Sequence, residues 1–210
     1  MEMIEIEHII TKQTHLTVCF STGETIRLPI ACERMYGLAK GKVIDRPLYQ
    51  QLKEESEKFM CRRKALDYLS IRNRSTWEME RYLQKKGFGK DPIRETIIFL
   101  REAGYINDYD YAVRYINARR SRKTIGKRLL RAELYRRGVD RNIISRALAE
   151  TGSNIVNADE IYALAVKKAN TLKSDQNKMR KIMYFLRQRG FGEDDIRAVV
   201  ERLKKENIEI

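Results

Sequence analysis

The first thirty residues alternate between apolar and polar positions with a period of two. Alternating runs cover 15–20 and 25–28, and the polar segment 21–24 separates them. This pattern predicts a strand, a turn and a second strand. Because a hairpin alone is marginally stable in water, we expect it to pair with a further strand over 4–11 and to pack on a short helix around 31–36.

After Pro47 the apolar residues recur every three or four positions, which is the period of an α-helix. They form one broad stripe, which consists of Leu48, Leu52, Phe59, Cys61, Ala65, Leu66 and Leu69. The pattern predicts one long helix, or two in series, that joins the β part to the rest of the chain. The proline suits the first turn of such a helix.

Three similar helix ends follow. Gly87, Gly138 and Gly190 are 51 and then 52 residues apart, and each follows basic residues and precedes an apolar residue. Basic side chains complement the negative end of a helix dipole, and glycine adopts the left-handed conformation that ends many helices. The three positions are therefore predicted to be equivalent helix C-termini.

Apolar helical segments also precede and follow each of these glycines, so each repeat is predicted to contain three helices in about fifty residues. The predicted fold is mostly α: three tandem three-helix, helix-turn-helix-like repeats forming an elongated arm, preceded by a small N-terminal β-hairpin or sheet. The predicted boundaries are 1–46 for the β-rich element, 47–107 for the linking helix and first repeat, 108–152 for the second repeat and 153–210 for the third. Thr124 is predicted to cap the middle helix of the second repeat.

Positive charge is concentrated in the middle of the chain. Residues 59–150 carry 23 basic and 11 acidic side chains, whereas 1–58 carry 8 and 9, and 151–210 carry 12 and 9. Within 114–141 there are 11 basic residues against only Glu133 and Asp140. The weak charge of the third repeat places the main contact on the second.

A charge run is usually a solvated helix face, but such a face normally alternates its signs to limit repulsion. The imbalance here favours binding to a polyanion or to an acidic protein surface, with little sequence preference and a steep salt dependence. Arginine outnumbers lysine nine to two in this window, which suits forked contacts to phosphate or carboxylate. The predicted binding residues are Arg114, Arg119, Arg120, Arg122, Lys123, Lys127, Arg128, Arg131, Arg136 and Arg137.

Catalytic machinery is not predicted. The segment Thr124-Ile125-Gly126-Lys127 lacks the further glycine of a phosphate loop, and no zinc-protease or nucleophile-elbow motif occurs. The three cysteines are far apart and only two histidines exist, so we expect neither a cofactor nor a metal. No apolar run is long enough for a membrane span, and the acidic N-terminus does not resemble a signal peptide. We therefore expect a cytoplasmic, monomeric, non-enzymatic binding protein.

The chain resembles the RecX family, the regulators of the RecA recombinase. The likeness covers roughly 60–205, and the N-terminal strands look like the extension of longer members. The residues that carry it are Arg74-Ser75-Thr76-Trp77-Glu78-Met79, Leu83, Gly87, Leu100, Gly104-Tyr105-Ile106-Asn107-Asp108, Tyr111-Ala112, Gly126, Leu130, Leu134, Gly138-Val139, Lys167-Lys168, Phe185-Leu186 and Arg189-Gly190-Phe191.

This resemblance implies a curved molecule that lies in the groove of the RecA–DNA filament. It implies modulation, usually inhibition, of RecA's ATPase, strand-exchange and coprotease activities in DNA repair, recombination and the SOS response. The alternative is a tandem helix-turn-helix transcription regulator, which would prefer one duplex sequence and usually form a dimer. The partners expected for a filament regulator are the RecA filament and single- and double-stranded DNA, with little sequence preference. Binding to unrelated duplexes therefore discriminates the two functions.

Overall fold

The computed structural model describes residues 3–151, 157–172 and 177–206. The chain divides into two compact units. One contains the described residues of Met1–Arg74 and Glu78–Ile106, and the other those of Ser75–Trp77 and Asn107–Ile210. The predicted boundary at 152/153 lies outside the described residues.

The N-terminal element is an antiparallel sheet of four strands. The strands are β1 (Met3–Thr11), β2 (Leu16–Phe20), β3 (Thr25–Leu28) and β4 (Val43–Asp45), in the order β3-β2-β1-β4. A short helix, α1 (Ala31–Tyr36), precedes β4. The hairpin, the further strand and the short helix are confirmed, whereas β4 was not predicted. It pairs with the start of β1, where Ile4 faces Ile44.

A single long helix, α2 (Arg46–Leu69), links the sheet to the helical part of the first unit. The Asp45 side chain caps its N-terminus by accepting from the Leu48 N–H at 3.0 Å. Tyr49 and Leu52 pack into the core of the sheet, while Cys61 and Ala65 pack into the next core. The sequence pattern was consistent with one helix or with two in series, and the structure shows one.

Three three-helix domains account for the rest of the described chain, which confirms the predicted mostly helical fold with three three-helix repeats. In the first, the C-terminal part of α2 packs with α3 (Thr76–Lys85) and α4 (Lys90–Glu102). The second contains α5 (Asp108–Arg120), α6 (Lys127–Tyr135) and α7 (Arg141–Glu150), and the third contains α8 (Ala158–Asn170), α9 (Lys178–Gln188) and α10 (Glu193–Lys205). Each domain buries a core of its own.

The middle helices of these domains end in the same way. Gly87, Gly138 and Gly190 have φ of 87°, 72° and 82°. The next residue in each case donates its N–H to a leucine carbonyl five positions earlier, at 3.3, 3.2 and 3.3 Å. These bonds satisfy carbonyls that the helix leaves without partners. The predicted equivalence of the three glycines is confirmed.

The predicted cap at Thr124 is wrong, because the N-cap of α6 is Gly126. The third domain, which belongs to the same compact unit, packs against the start of α6 and determines where this helix begins. The Gly126 N–H donates to the Arg189 carbonyl at 2.9 Å, and the Arg128 N–H donates to the Gly190 carbonyl at 3.1 Å. A Cβ at position 126 would lie 2.1 Å from the Gly190 oxygen, so only glycine fits.

None of the described helices combines the length and the apolar character needed to cross a bilayer.

Candidate nucleic-acid interface

The second domain carries all ten of the cations predicted to bind, and seven of them are exposed. Arg114 lies on α5, and Arg122 and Lys123 lie in the connection to α6. The remaining exposed residues are on α6 or immediately after it, and they are Lys127, Arg128, Arg131 and Arg136. These seven side chains can reach a partner without any change in the fold.

Arg119 and Arg120 are engaged within the domain instead. The Arg119 guanidinium donates to both carboxylate oxygens of Glu133, with Nη2–Oε1 and Nε–Oε2 distances of 2.5 and 2.8 Å. The Tyr115 hydroxyl donates to the same carboxylate at 2.8 Å. Arg120 donates to the Thr151 carbonyl at 2.8 Å. These two arginines tie α5 to α6 and to the end of α7.

The Glu133 carboxylate remains ionised because of these donors. Burial alone would raise its pKa, but the hydrogen bonds from Arg119 and Tyr115 outweigh burial and lower the pKa. One of the two acidic residues in the basic window is therefore used to hold the domain together.

Arg137 is also internal. Its guanidinium lies 4.8 Å from the centre of the Tyr115 ring and donates to the Tyr111 hydroxyl at 3.4 Å. Burial lowers the pKa of Arg137, but its contacts with the two tyrosines outweigh burial and leave the pKa raised. This arginine is a packing residue that stays charged.

A groove between α6 and α7 collects part of the exposed charge. It has a volume of about 600 Å³, and we call it the α6–α7 groove. Its lining residues are Arg128, Arg131, Ala132, Tyr135, Arg141, Ile144 and Ser145, and no carboxylate is among them within the described chain. The Arg141 guanidinium lies 5.4 Å from the Tyr135 ring, which is 56% exposed.

Arg141 and Tyr135 were not among the binding residues predicted from the sequence. Tyr135 could have been predicted from helical spacing. Arg128, Arg131 and Tyr135 follow each other at three and four positions and so share one face of α6. Arg141 joins them only because α7 packs beside α6, which no local pattern specifies.

A smaller cavity of about 310 Å³ lies at the N-terminus of α6, where the third domain packs. Lys127, Arg128 and Arg131 line it, together with Gly190 and Asp195 among others. The Asp195 carboxylate accepts from the Gly192 N–H at 3.2 Å, so it serves as a helix cap. Since Arg128 and Arg131 line both cavities, the positive surface continues from the α6–α7 groove to the start of α6.

This arrangement suits binding of an extended anion. Arginine forks can each hold a phosphate or a carboxylate, and the exposed tyrosine offers an apolar face beside them. Among residues 3–151, 157–172 and 177–206, no group of three or more His, Cys, Asp or Glu side chains is placed to hold a metal ion.

Comparison with known proteins gives consistent results over the three helical domains. Family models described as the first, second and third three-helix domains of RecX match residues 61–100, 107–148 and 158–200. The regulatory protein RecX of Clostridium perfringens strain 13 is 32% identical over 171 residues, which cover 80% of this chain and 79% of the relative.

The regulatory protein RecX of Bacillus cytotoxicus is also 32% identical, over 173 residues, and the match spans 81% of this chain but 64% of that longer protein. A crystal structure of a regulatory protein RecX superposes with a TM-score of 0.75 over 96% of this chain and 99% of the other. At 19% identity that superposition shows a shared fold.

Proposed function

Because this chain belongs to the RecX family of regulatory proteins, we propose that it regulates the RecA recombinase by binding the RecA–DNA filament. Binding would inhibit filament growth or remodel the filament, and thereby lower RecA's ATPase, strand-exchange and coprotease activities. In this proposal the protein itself catalyses nothing.

The observation that supports the proposed contact is the α6–α7 groove. Three arginines line it, no carboxylate does so within the described residues, and a filament of protein and DNA presents a continuous row of phosphates. Neutralising phosphates releases condensed counterions, so the affinity should fall steeply with salt. The proposed contact residues are Arg128, Arg131 and Arg141, with Lys127 at the start of α6.

Arg119, Arg120 and Arg137 are poor choices for testing this contact. Each is half-buried and donates hydrogen bonds inside the domain, so its replacement changes the fold as well as the surface charge. The test needs substitutions that leave these contacts intact.

The double substitution Arg131→Glu and Arg141→Glu in the full chain meets that need. We expect it to raise the concentration needed for half-maximal inhibition of RecA's single-strand-dependent ATPase by about tenfold or more, because two favourable charge contacts become repulsive. The dependence of the logarithm of affinity on the logarithm of salt should also become shallower, by about one for each lost contact.

The matched control is Arg114→Glu with Arg122→Glu. It makes the same change in net charge, in the same domain, at exposed positions that do not line the α6–α7 groove. This control should inhibit RecA nearly as well as the unmodified chain. Equal losses in both variants would attribute the effect to net charge, and full inhibition by the groove variant would refute the site.

A further inference from the structure

The helix α9 of the third domain has a second cationic surface, outside the residues predicted from sequence. Ile182 and Leu186 are fully buried in the domain core. On the outward side, Arg180, Tyr184 and Arg187 follow at intervals of four and three, so they share one face of the helix. All three are exposed. The third domain thus has little net charge but a positively charged face on α9.

This face borders a cavity of about 550 Å³, and we call the two together the α9 surface. The lining residues are Lys168, Leu172, Asn177, Arg180, Lys181, Tyr184, Phe185, Arg187 and Gln188. Four are cations and two carry side-chain amides, and no carboxylate is present in this part of the described chain. Among the described acidic residues of the domain, Asp159 and Glu160 lie in the first turn of α8 and Glu193, Asp194 and Asp195 in the first turn of α10. Of these, Glu193 accepts hydrogen bonds from Arg187 at the edge of the surface.

Tyr184 is the most informative residue on the surface. Its side chain is 61% exposed. By contrast, Tyr162 in the same domain donates to Glu206 and lies 4.0 Å from the Arg202 guanidinium. Tyr109 and Tyr115 likewise donate to carboxylates.

The scaffold does not require an aromatic residue at this position. Counted from the glycine that ends each middle helix, Tyr184 corresponds to Ala132 in the second domain and to Arg81 in the first. Phe185 has a different role, because the charged groups of Lys168 and Arg189 lie 5.6 and 5.1 Å from the centre of its ring. Tyr184 is therefore the ring that remains open to a ligand.

We propose that the α9 surface binds a single-stranded polynucleotide, with a base stacked on Tyr184 and phosphates held by Lys168, Arg180 and Lys181. Exposed aromatic rings interleaved with cations are the usual means of binding single strands, since every base has a face that can stack. A duplex keeps those faces inside its own stack, and an acidic protein surface would use the cations but not the ring. The inference rests on the proposed function only in taking a polynucleotide as the natural occupant.

The two basic surfaces are adjacent through one carboxylate. Arg187 of the α9 surface donates to Glu193 at 2.9 and 3.0 Å, and Arg128 of the α6–α7 groove lies 3.6 Å from the same residue. The two surfaces therefore meet at Glu193, in the acidic first turn of α10.

The test is direct binding of the full chain, without RecA, to a fluorescein-labelled oligothymidylate of about twenty nucleotides, measured by anisotropy. We expect Tyr184→Ala to weaken this binding by about tenfold, within the range of one lost base–aromatic stack. Tyr184→Phe should bind within about twofold of the unmodified chain, because the ring is kept. Arg180→Ala should weaken binding and also reduce its salt dependence by about one phosphate contact.

Tyr105→Ala is the control, since Tyr105 is 58% exposed in a different domain and should not affect binding. Unchanged binding by Tyr184→Ala would overturn the proposal, as would an equal loss for a duplex of the same length. The proposal would also be overturned if polyglutamate displaced the oligothymidylate completely and Tyr184→Ala weakened the binding of polyglutamate as well. That result would favour an acidic protein partner. RecA is absent from this assay. A failure here therefore does not decide the outcome of the ATPase test of the proposed function.

Discussion

At the scale of single residues, the second domain contains two kinds of arginine that composition does not distinguish. Arg119 and Arg120 follow the buried Ile116 on α5 by three and four positions and are half-buried, because they bond to Glu133 and to the Thr151 carbonyl. Arg137 lies beyond the end of α6 and is half-buried against the Tyr115 ring. Arg131 is exposed although it lies three positions before the buried Leu134, so helical spacing alone does not distinguish the two kinds.

The Arg119–Glu133 pair predicts a specific pH dependence of stability. Glu133 has a lowered pKa, so its ionised form contributes stability above its ordinary pKa of about 4.3, and this contribution is lost as the pH falls through the lowered value. We expect Glu133→Gln to cost about 1.5–3 kcal/mol in the free energy of unfolding at pH 7, as for one hydrogen bond to a charged group. Urea denaturation at pH 7 and near pH 3 measures this cost.

At the lower pH the difference between Glu133→Gln and the unmodified chain should shrink. Glu193→Gln is the matched control, because Glu193 also has a lowered pKa, through its hydrogen bond with Arg187, but its side chain is exposed. It should change stability much less. A Glu133→Gln cost that does not vary with pH would show that the carboxylate charge is not what stabilises the domain.

At the scale of elements, the C-terminal ends of the middle helices could be predicted from sequence, whereas the elements that pack or pair with them across the chain could not. A basic residue, glycine and an apolar residue predicted each helix C-terminus, because the signal is local. The start of α6 was mispredicted at Thr124, since Gly126 is capped by the backbone of a helix end more than sixty residues later. Likewise β4 has only three residues, too few to show alternation, and it forms through pairing with β1.

Gly190 provides a test of the junction between α6 and the third domain. It has φ of 82°, and a Cβ there would lie 2.3 Å from the Leu129 backbone nitrogen. We expect Gly190→Ala to cost about 1 kcal/mol for the left-handed conformation and a further 1–3 kcal/mol for displacing the α6 backbone. Hydrogen exchange should become faster at the Gly126 and Arg128 amides, which donate across the junction.

Gly87→Ala is the comparison, because Gly87 has φ of 87° but open space where its Cβ would lie. It should cost only the conformational term of about 1 kcal/mol. Equal destabilisation by the two substitutions would mean that the junction at Gly190 contributes nothing beyond the helix end itself.

At the scale of the whole molecule, the fold class was accessible from sequence because each repeat contains its own periodicity and its own helix end. The binding surface was only partly accessible. Counting charges located the second domain, but the α6–α7 groove depends on α7 packing beside α6, which brings Arg141 to Arg128 and Arg131. The α9 surface was missed because its cations are spaced along a helix whose domain has little net charge.

The most direct measurement of the central claim is disassembly of preformed RecA filaments on labelled single-stranded DNA, followed with and without this protein at about 50 and 200 mM salt. Binding through the groove predicts faster disassembly at the lower salt, a steep loss of the effect at the higher salt, and little effect of the Arg131→Glu, Arg141→Glu variant at either. An acceleration that is equal at both salt concentrations, or that survives in this variant, would contradict the claim.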